Sequence, residues 1–149
     1  MQWLYILVFV ACAANAAQAQ ESAAENKKGN LLELFVGVTH DGGENDPSLG
    51  LTYERRFDRF GTGLILEFTK SDSREAVLAL PFFWHPAEGW RTTVAIGTEK
   101  SEDENTILGR VGGSYEFEFS GWSLSPEVNV DFVDGGTVLV IGASFGWKF

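Results

Sequence analysis

The stretch Gly142-Ala143-Ser144-Phe145-Gly146-Trp147-Lys148-Phe149 decides the fold. Counting from Leu139, every second residue is apolar (Leu139, Ile141, Ala143, Phe145, Trp147, Phe149), and from Gly142 onward the residues between are Gly, Ser, Gly and Lys. A period of two with one greasy and one small polar face is a β-strand. In water, a strand closing on Phe149 would fray and leave aromatic surface exposed. Against hydrocarbon the same face carries no such penalty.

The same period runs back through the chain to Leu31. Leu32, Leu34, Val36 and Val38 alternate with Glu33, Phe35, Gly37 and Thr39, and a loop is expected at Asp41–Pro47, which is dense in turn formers. Leu49, Leu51, Tyr53 and Phe57 form the apolar face of the next strand, which a tight Asp58-Arg59 turn joins to Phe60, Thr62, Leu64, Leu66 and Phe68. With a two-residue turn Phe57 lies across from Phe60, and the two apolar faces coincide. Three further alternations follow. They carry Ala76 to Trp84, Trp90 to Ile96 and Ile107 to Phe119, separated by Lys70–Arg74, the Pro-containing turn His85–Gly89 and a charged loop at Glu99–Asn105. Ser120-Gly121 then turns the chain into Trp122 to Phe132, and Val133–Gly136 leads into the last strand. This gives eight strands of roughly 9–12 residues, the length a tilted strand needs to cross a bilayer. Pro81 and Pro126 fall inside strands, so a bulge or break is expected at each.

Composition narrows the partners. The 149 residues suffice for one domain, and 11 Lys+Arg against 21 Asp+Glu give a net charge of −10 with no basic cluster, which excludes nucleic acid. Cys12 is the single cysteine, so no intrachain disulfide forms. The apolar run Trp3 to Ala14 has the length of a signal-peptide core and is followed by the small-x-small site Ala17-Gln18-Ala19. Cleavage after Ala19 is expected, with residues 1–19 a signal peptide, 20–30 a disordered tether and 31–149 the barrel. Phe9-Val10-Ala11-Cys12 departs from a lipoprotein box at Phe9.

Eight antiparallel strands with one apolar face close either around their grease, as in a soluble lipocalin-like barrel, or with the grease outside. The polar face selects the second. It is rich in Gly, Ser and Thr and carries both charge signs, which suits a narrow filled lumen. By parity Glu54, Arg56, Glu67, Arg91, Arg110, Glu116, Glu127 and Asp131 point inward as a pairing network, joined by Glu33, Glu75, Glu99, Glu118 and Lys148. Arg110 is expected to face Asp131. The large aromatics gather at one end of the hairpins: Phe57 with Phe60, Trp84 with Trp90, and Phe119 with Trp122. Trp147 and Phe149 lie at the same level, as in an interfacial girdle. Short turns and both chain ends mark that end as periplasmic.

On Gly142, Phe145, Trp147 and Phe149, and on the eight alternating strands, the chain resembles the small outer-membrane β-barrels of the OmpA and OmpX type. In that family the last strand ends in an aromatic residue preceded by apolar residues at alternating positions. The resemblance covers Leu31 to Phe149. It implies a porin-like Gram-negative barrel, exported and inserted by the barrel-assembly machinery into outer-membrane lipid and lipopolysaccharide. The expected state is a monomer with a structural or surface-interaction role, no open pore and no cofactor.

Three features of the sequence bear on competing chemistries. His40 falls on the lipid-facing side near the outer end of strand one, where a lipid-modifying enzyme would keep a base, but outer-membrane deacylases use His-x-Ser and here Gly42 stands at that place. The acidic runs Asp41–Asp46 and Glu102–Glu104 lack EF-hand spacing and read as solvated loops, with no metal expected. His85, beside Pro86, reads as a turn residue.

Overall fold

Alternation of side chains sets which residues see lipid and which see the lumen, and closure of the sheet decides that no backbone polar group is left at an edge. The structure, a computed structural model, describes residues 29–70 and 75–149. The expected leader, the tether as far as residue 28, and the tip of the 70–74 turn lie outside the described residues. The segments are β1 (Gly29–Asp41), β2 (Glu44–Phe57), β3 (Phe60–Thr69), β4 (Glu75–Trp84), β5 (Trp90–Lys100), β6 (Asn105–Tyr115), β7 (Phe117–Glu118), β8 (Trp122–Val133) and β9 (Gly136–Lys148). Neighbours in sequence pair antiparallel from β1 to β6, β8 pairs with β6, β7 and β9, and β9 pairs back onto β1. Since β6 and β7 share β8 as partner in a single register, they are two pieces of one strand. The result is a closed eight-stranded barrel.

The inward and outward faces divide as the alternation requires. On β5, Ile96 is 65% exposed while its neighbour Ala95 is 6% exposed, and the same contrast repeats around the ring. Leu49, Leu51, Leu80, Val94, Val111 and Ile141 form an exposed aliphatic band. Glu33, Glu54, Glu67, Arg91, Arg110 and Asp131 are buried. A soluble barrel with its grease inside is thereby overturned.

Three sequence expectations need correction at the strand ends. β1 begins at Gly29, inside the expected tether, because Asn30 exchanges both backbone hydrogen bonds with Phe149 at 3.0 Å. The expected Asp41–Pro47 loop is instead a continuation of both strands, with Asp41 paired to Glu44 and only Gly42-Gly43 turning. Their φ angles of +56° and +103° are open to glycine, so the turn formers around them are free to stay in the ladder. The expected Glu99–Asn105 loop likewise shrinks to a four-residue turn, in which Ser101 N donates to Glu104 O at 2.9 Å.

Both prolines interrupt a ladder without shifting it. The β3–β4 pairing lapses between Thr62↔Phe82 and Ile65↔Ala79, opposite Pro81, and resumes in the same register. The β6–β8 pairing stops at Ser114↔Glu127 and resumes at Phe117↔Leu124, so Pro126 marks the gap between β6 and β7. The freed Glu116 N donates instead to Gly89 O at 2.6 Å.

Inside, apolar and polar layers stack. Ile65, Val77, Ala79, Ala95 and Leu108 form a buried apolar cluster, with Val133 against it. Phe35 lies across the backbone of β1 and β9, where a Cβ on Gly37 or Gly142 would run into its ring. Those glycines admit an aromatic side chain into a lumen only eight strands wide. Gly142→Val is therefore expected to lower the unfolding free energy of the bilayer-inserted barrel, measured in urea, by about 1–3 kcal/mol from overpacking. Gly109→Ala, at a position where an added Cβ meets nothing within 4 Å, is expected to leave it unchanged.

Candidate functional site

The lumen holds buried charges of both signs, and strand register decides which of them meet. Near its middle Arg110 from β6 faces Asp131 from β8 as a direct cross-strand pair. Nε donates to Oδ1 at 2.6 Å and Nη2 to Oδ2 at 2.7 Å, while Nη1 donates to Glu67 Oε2 of β3 at 2.8 Å. The fork is filled on both sides, the arrangement in which guanidinium and carboxylate bind best.

Arg91 of β5 forms a second node. Nη1 donates to Glu33 Oε2 at 2.5 Å and to Glu54 Oε2 at 3.3 Å, and Nη2 to Glu127 Oε2 at 3.5 Å. Nε donates to Ser114 Oγ at 3.1 Å, and the guanidinium carbon stands 5.1 Å from the centre of the Phe83 ring. Glu127 is held in turn by Ser144 Oγ at 3.0 Å and Asn129 Nδ2 at 3.1 Å. Between the Arg91 and Arg110 nodes the lining leaves a void of about 20 Å³, room for about one water.

At the girdle end of the lumen, Arg56 donates to both oxygens of Glu116, at 2.8 and 3.3 Å, and its Nε lies 3.3 Å from Glu54 Oε1. Lys148 Nζ donates to Glu116 Oε1 at 2.8 Å and also contacts Glu118. Glu116 reaches this position from the gap that Pro126 opens between β6 and β7. His85, in the β4–β5 turn, places Nε2 2.6 Å from Glu54 Oε1. Glu54 thus touches His85, Arg56 and Arg91 at once.

The structure brings together all eight residues of the expected lumen set. Glu33, Lys148 and His85 join them as direct partners. Parity alone placed the first two inward; His85 belongs to a turn, where parity is silent, and only the fold brings it back over the lumen mouth. Phe35 and Phe83, buried aromatics on the polar face, share the parity of Glu33 and Val77.

On the outer wall Phe57, Phe60, Trp84, Phe119, Trp122, Phe145, Trp147 and Phe149 are exposed. Phe119 stacks on Trp122 at 4.3 Å, and Phe60 lies 5.6 Å from Phe82. Trp90 is half-buried, its ring edge-on to Tyr115 at 5.1 Å. Gly142 faces the lumen beneath Phe35, so of the four residues of the C-terminal pattern it alone contributes to interior packing.

His40 sits at the outer rim, Nδ1 2.8 Å from Asn45 Oδ1. Thr39, its neighbour in the chain, faces the other way: it lies 2.6 Å from Ser48, and Ser48 3.1 Å from Thr69, in a buried cluster within the barrel. A base needs its nucleophile in reach, and the wall separates His40 from that cluster. Among the described residues no group of three or more His, Cys, Asp or Glu is placed to hold a metal ion, and no helix is long and apolar enough to cross a membrane.

No protein-family model matches the chain, and no curated protein matches it. Solved structures do. The N-terminal β-barrel domain of Pseudomonas aeruginosa OprF aligns at TM-score 0.61 and 11% identity, over 83% of this chain and 100% of that one. Neisserial surface protein A aligns at TM-score 0.62 and 7% identity, over 80% and 96%. A structure from the de novo design of transmembrane β-barrels aligns at TM-score 0.58 and 13% identity, over 83% and 99%. The fold is that of a small eight-stranded transmembrane β-barrel.

Truncating a buried charge strands its partners. Arg110→Met is expected to cost about 3–5 kcal/mol in urea unfolding, because Asp131 and Glu67 stay buried without a cation. The triple variant Arg110→Met, Asp131→Leu, Glu67→Met is expected to recover most of that loss, which separates the pairing from simple packing.

Proposed function

We propose that the chain is an outer-membrane barrel with a filled lumen, serving as a structural element of the membrane and not as a pore or an enzyme. One observation carries this reading. The closed barrel turns its aliphatic and aromatic side chains outward and spans its interior with Arg110–Asp131–Glu67 and the Arg91 and Arg56 clusters. Side chains from β2, β3, β5, β6 and β8 meet across the axis, so an ion on that path would have to part buried pairs.

The exposed turns bear on the choice between a structural and a surface-interaction role. The β1–β2 and β8–β9 turns have two residues each, and the β5–β6 turn has four. A stable protein interface takes about 800 Å² from each partner, and tips of this size present little of it. Their acids, Asp41, Glu44, Glu102, Asp103, Glu104 and Asp134, keep neighbouring barrels apart and favour a monomer. The short girdle-end turns and the meeting of Asn30 with Phe149 there support a periplasmic assignment for that end.

Export through residues 1–19 and delivery by the barrel-assembly machinery complete the reading, with Phe145, Trp147 and Phe149 as the presented signal. Outer-membrane lipid and lipopolysaccharide are then its surroundings. The full-length chain, expressed in a Gram-negative host, is expected to fractionate with outer membranes, to change gel mobility on boiling, and to give no discrete conductance steps in planar bilayers. Recovery in the periplasmic extract, or regular steps, would contradict it. His40→Ala is expected to leave the lipid profile unchanged.

A further inference from the structure

Arg55 differs from Arg56, Arg91 and Arg110 in the side of the wall it occupies. It faces outward on β2, two residues from Phe57 and two from Tyr53, with Asn30 and Thr62 directly across on β1 and β3. Its Nη1 donates to Asn30 Oδ1 at 2.9 Å, and the Tyr53 hydroxyl donates to the same oxygen at 2.8 Å. The guanidinium carbon stands 5.8 Å from the centre of the Phe57 ring. Both partners are neutral. Among the described residues no carboxylate pairs with Arg55, while each of the three lumen arginines has at least two.

A guanidinium always carries its charge, and Nη1–Asn30 uses one of its five N–H groups. Next to Phe57, which pairs with Phe60, it lies at the girdle, where bulk water gives way to lipid. The anion available at that depth is the phosphate of a glycerophospholipid, and a planar fork suits phosphate oxygens. Asn30, itself held by the Tyr53 hydroxyl, engages one N–H of the fork and leaves the other four for oxygens from outside the chain.

We propose that Arg55, oriented by Asn30 and Tyr53, is a binding site for the phosphate of one phospholipid molecule in the girdle-side leaflet. The inference rests on the membrane-barrel reading and names a lipid partner for it. Its test is native mass spectrometry of the barrel in dodecyl maltoside, titrated separately with dioleoyl phosphatidylglycerol, dioleoyl phosphatidylcholine and dioleoylglycerol. Both phosphate-bearing lipids are expected to leave a retained adduct that dioleoylglycerol does not. Arg55→Gln is expected to weaken it about five- to tenfold, the scale of one charge-assisted contact, and Arg59→Gln, in the adjacent turn, is expected not to. Arg55→Lys, a second variant that keeps the charge and loses the fork, is expected to retain less than the wild type. Equal retention by Arg55→Gln or by Arg55→Lys overturns the proposal. So does equal retention of dioleoylglycerol, or displacement of the lipid by millimolar inorganic phosphate, which would mark a free-anion site. Mobility on boiling, read on the same samples, reports barrel folding separately, so a failed site and a failed membrane reading are told apart.

Discussion

The pairing of β1 with β9 is the constraint on which the rest of the structure depends. From Leu31↔Lys148 to His40↔Leu139 it joins the two ends of the sheet, and without it two rows of backbone N–H and C=O groups would face hydrocarbon. Each such group left unsatisfied in lipid costs several kcal/mol. Closure therefore fixes the number of strands, and the number of strands fixes how little room lies within.

That narrowness explains the sorting of residues. A large side chain fits inside only where the wall beside it is bare, as Phe35 does over Gly37 and Gly142. A charge fits only where register brings its partner, as Arg110 and Asp131 do. The Arg91 cluster gathers Glu33, Glu54 and Glu127 from three other strands around one cation, which ties β1, β2, β5 and β8 together across the axis. Ion pairs of this kind contribute less to net stability than to fixing one arrangement of the strands, since desolvation offsets much of their attraction.

The sequence made the barrel legible because period-two alternation reports both the element and its face. Phe57 opposite Phe60 and Arg110 opposite Asp131 followed from counting through two-residue turns, where register is arithmetic. What stayed hidden depends on contacts that no period encodes. Asn30 is polar and lies beside a tether-like stretch, yet its backbone pairs with Phe149. Asp41 to Pro47 has the composition of a loop, yet Gly42-Gly43 alone suffices to turn the chain and the neighbours remain paired. His85 reaches Glu54 because the β4–β5 turn folds over the lumen mouth, a tertiary event. Arg55 is masked in the sequence by its neighbour Arg56, which shares the charge and faces the other way.

The central claim is that the apolar face sees hydrocarbon while the polar face is enclosed. A spin-label scan of single cysteines along β5, from Arg91 to Gly97 in lipid vesicles, tests it most directly by measuring collisions with dissolved oxygen. The account predicts accessibility that alternates with a period of two and peaks at Thr92, Val94 and Ile96. Peaks at Thr93 and Ala95, or accessibility to a water-soluble nickel reagent at Val94 and Ile96, would contradict it.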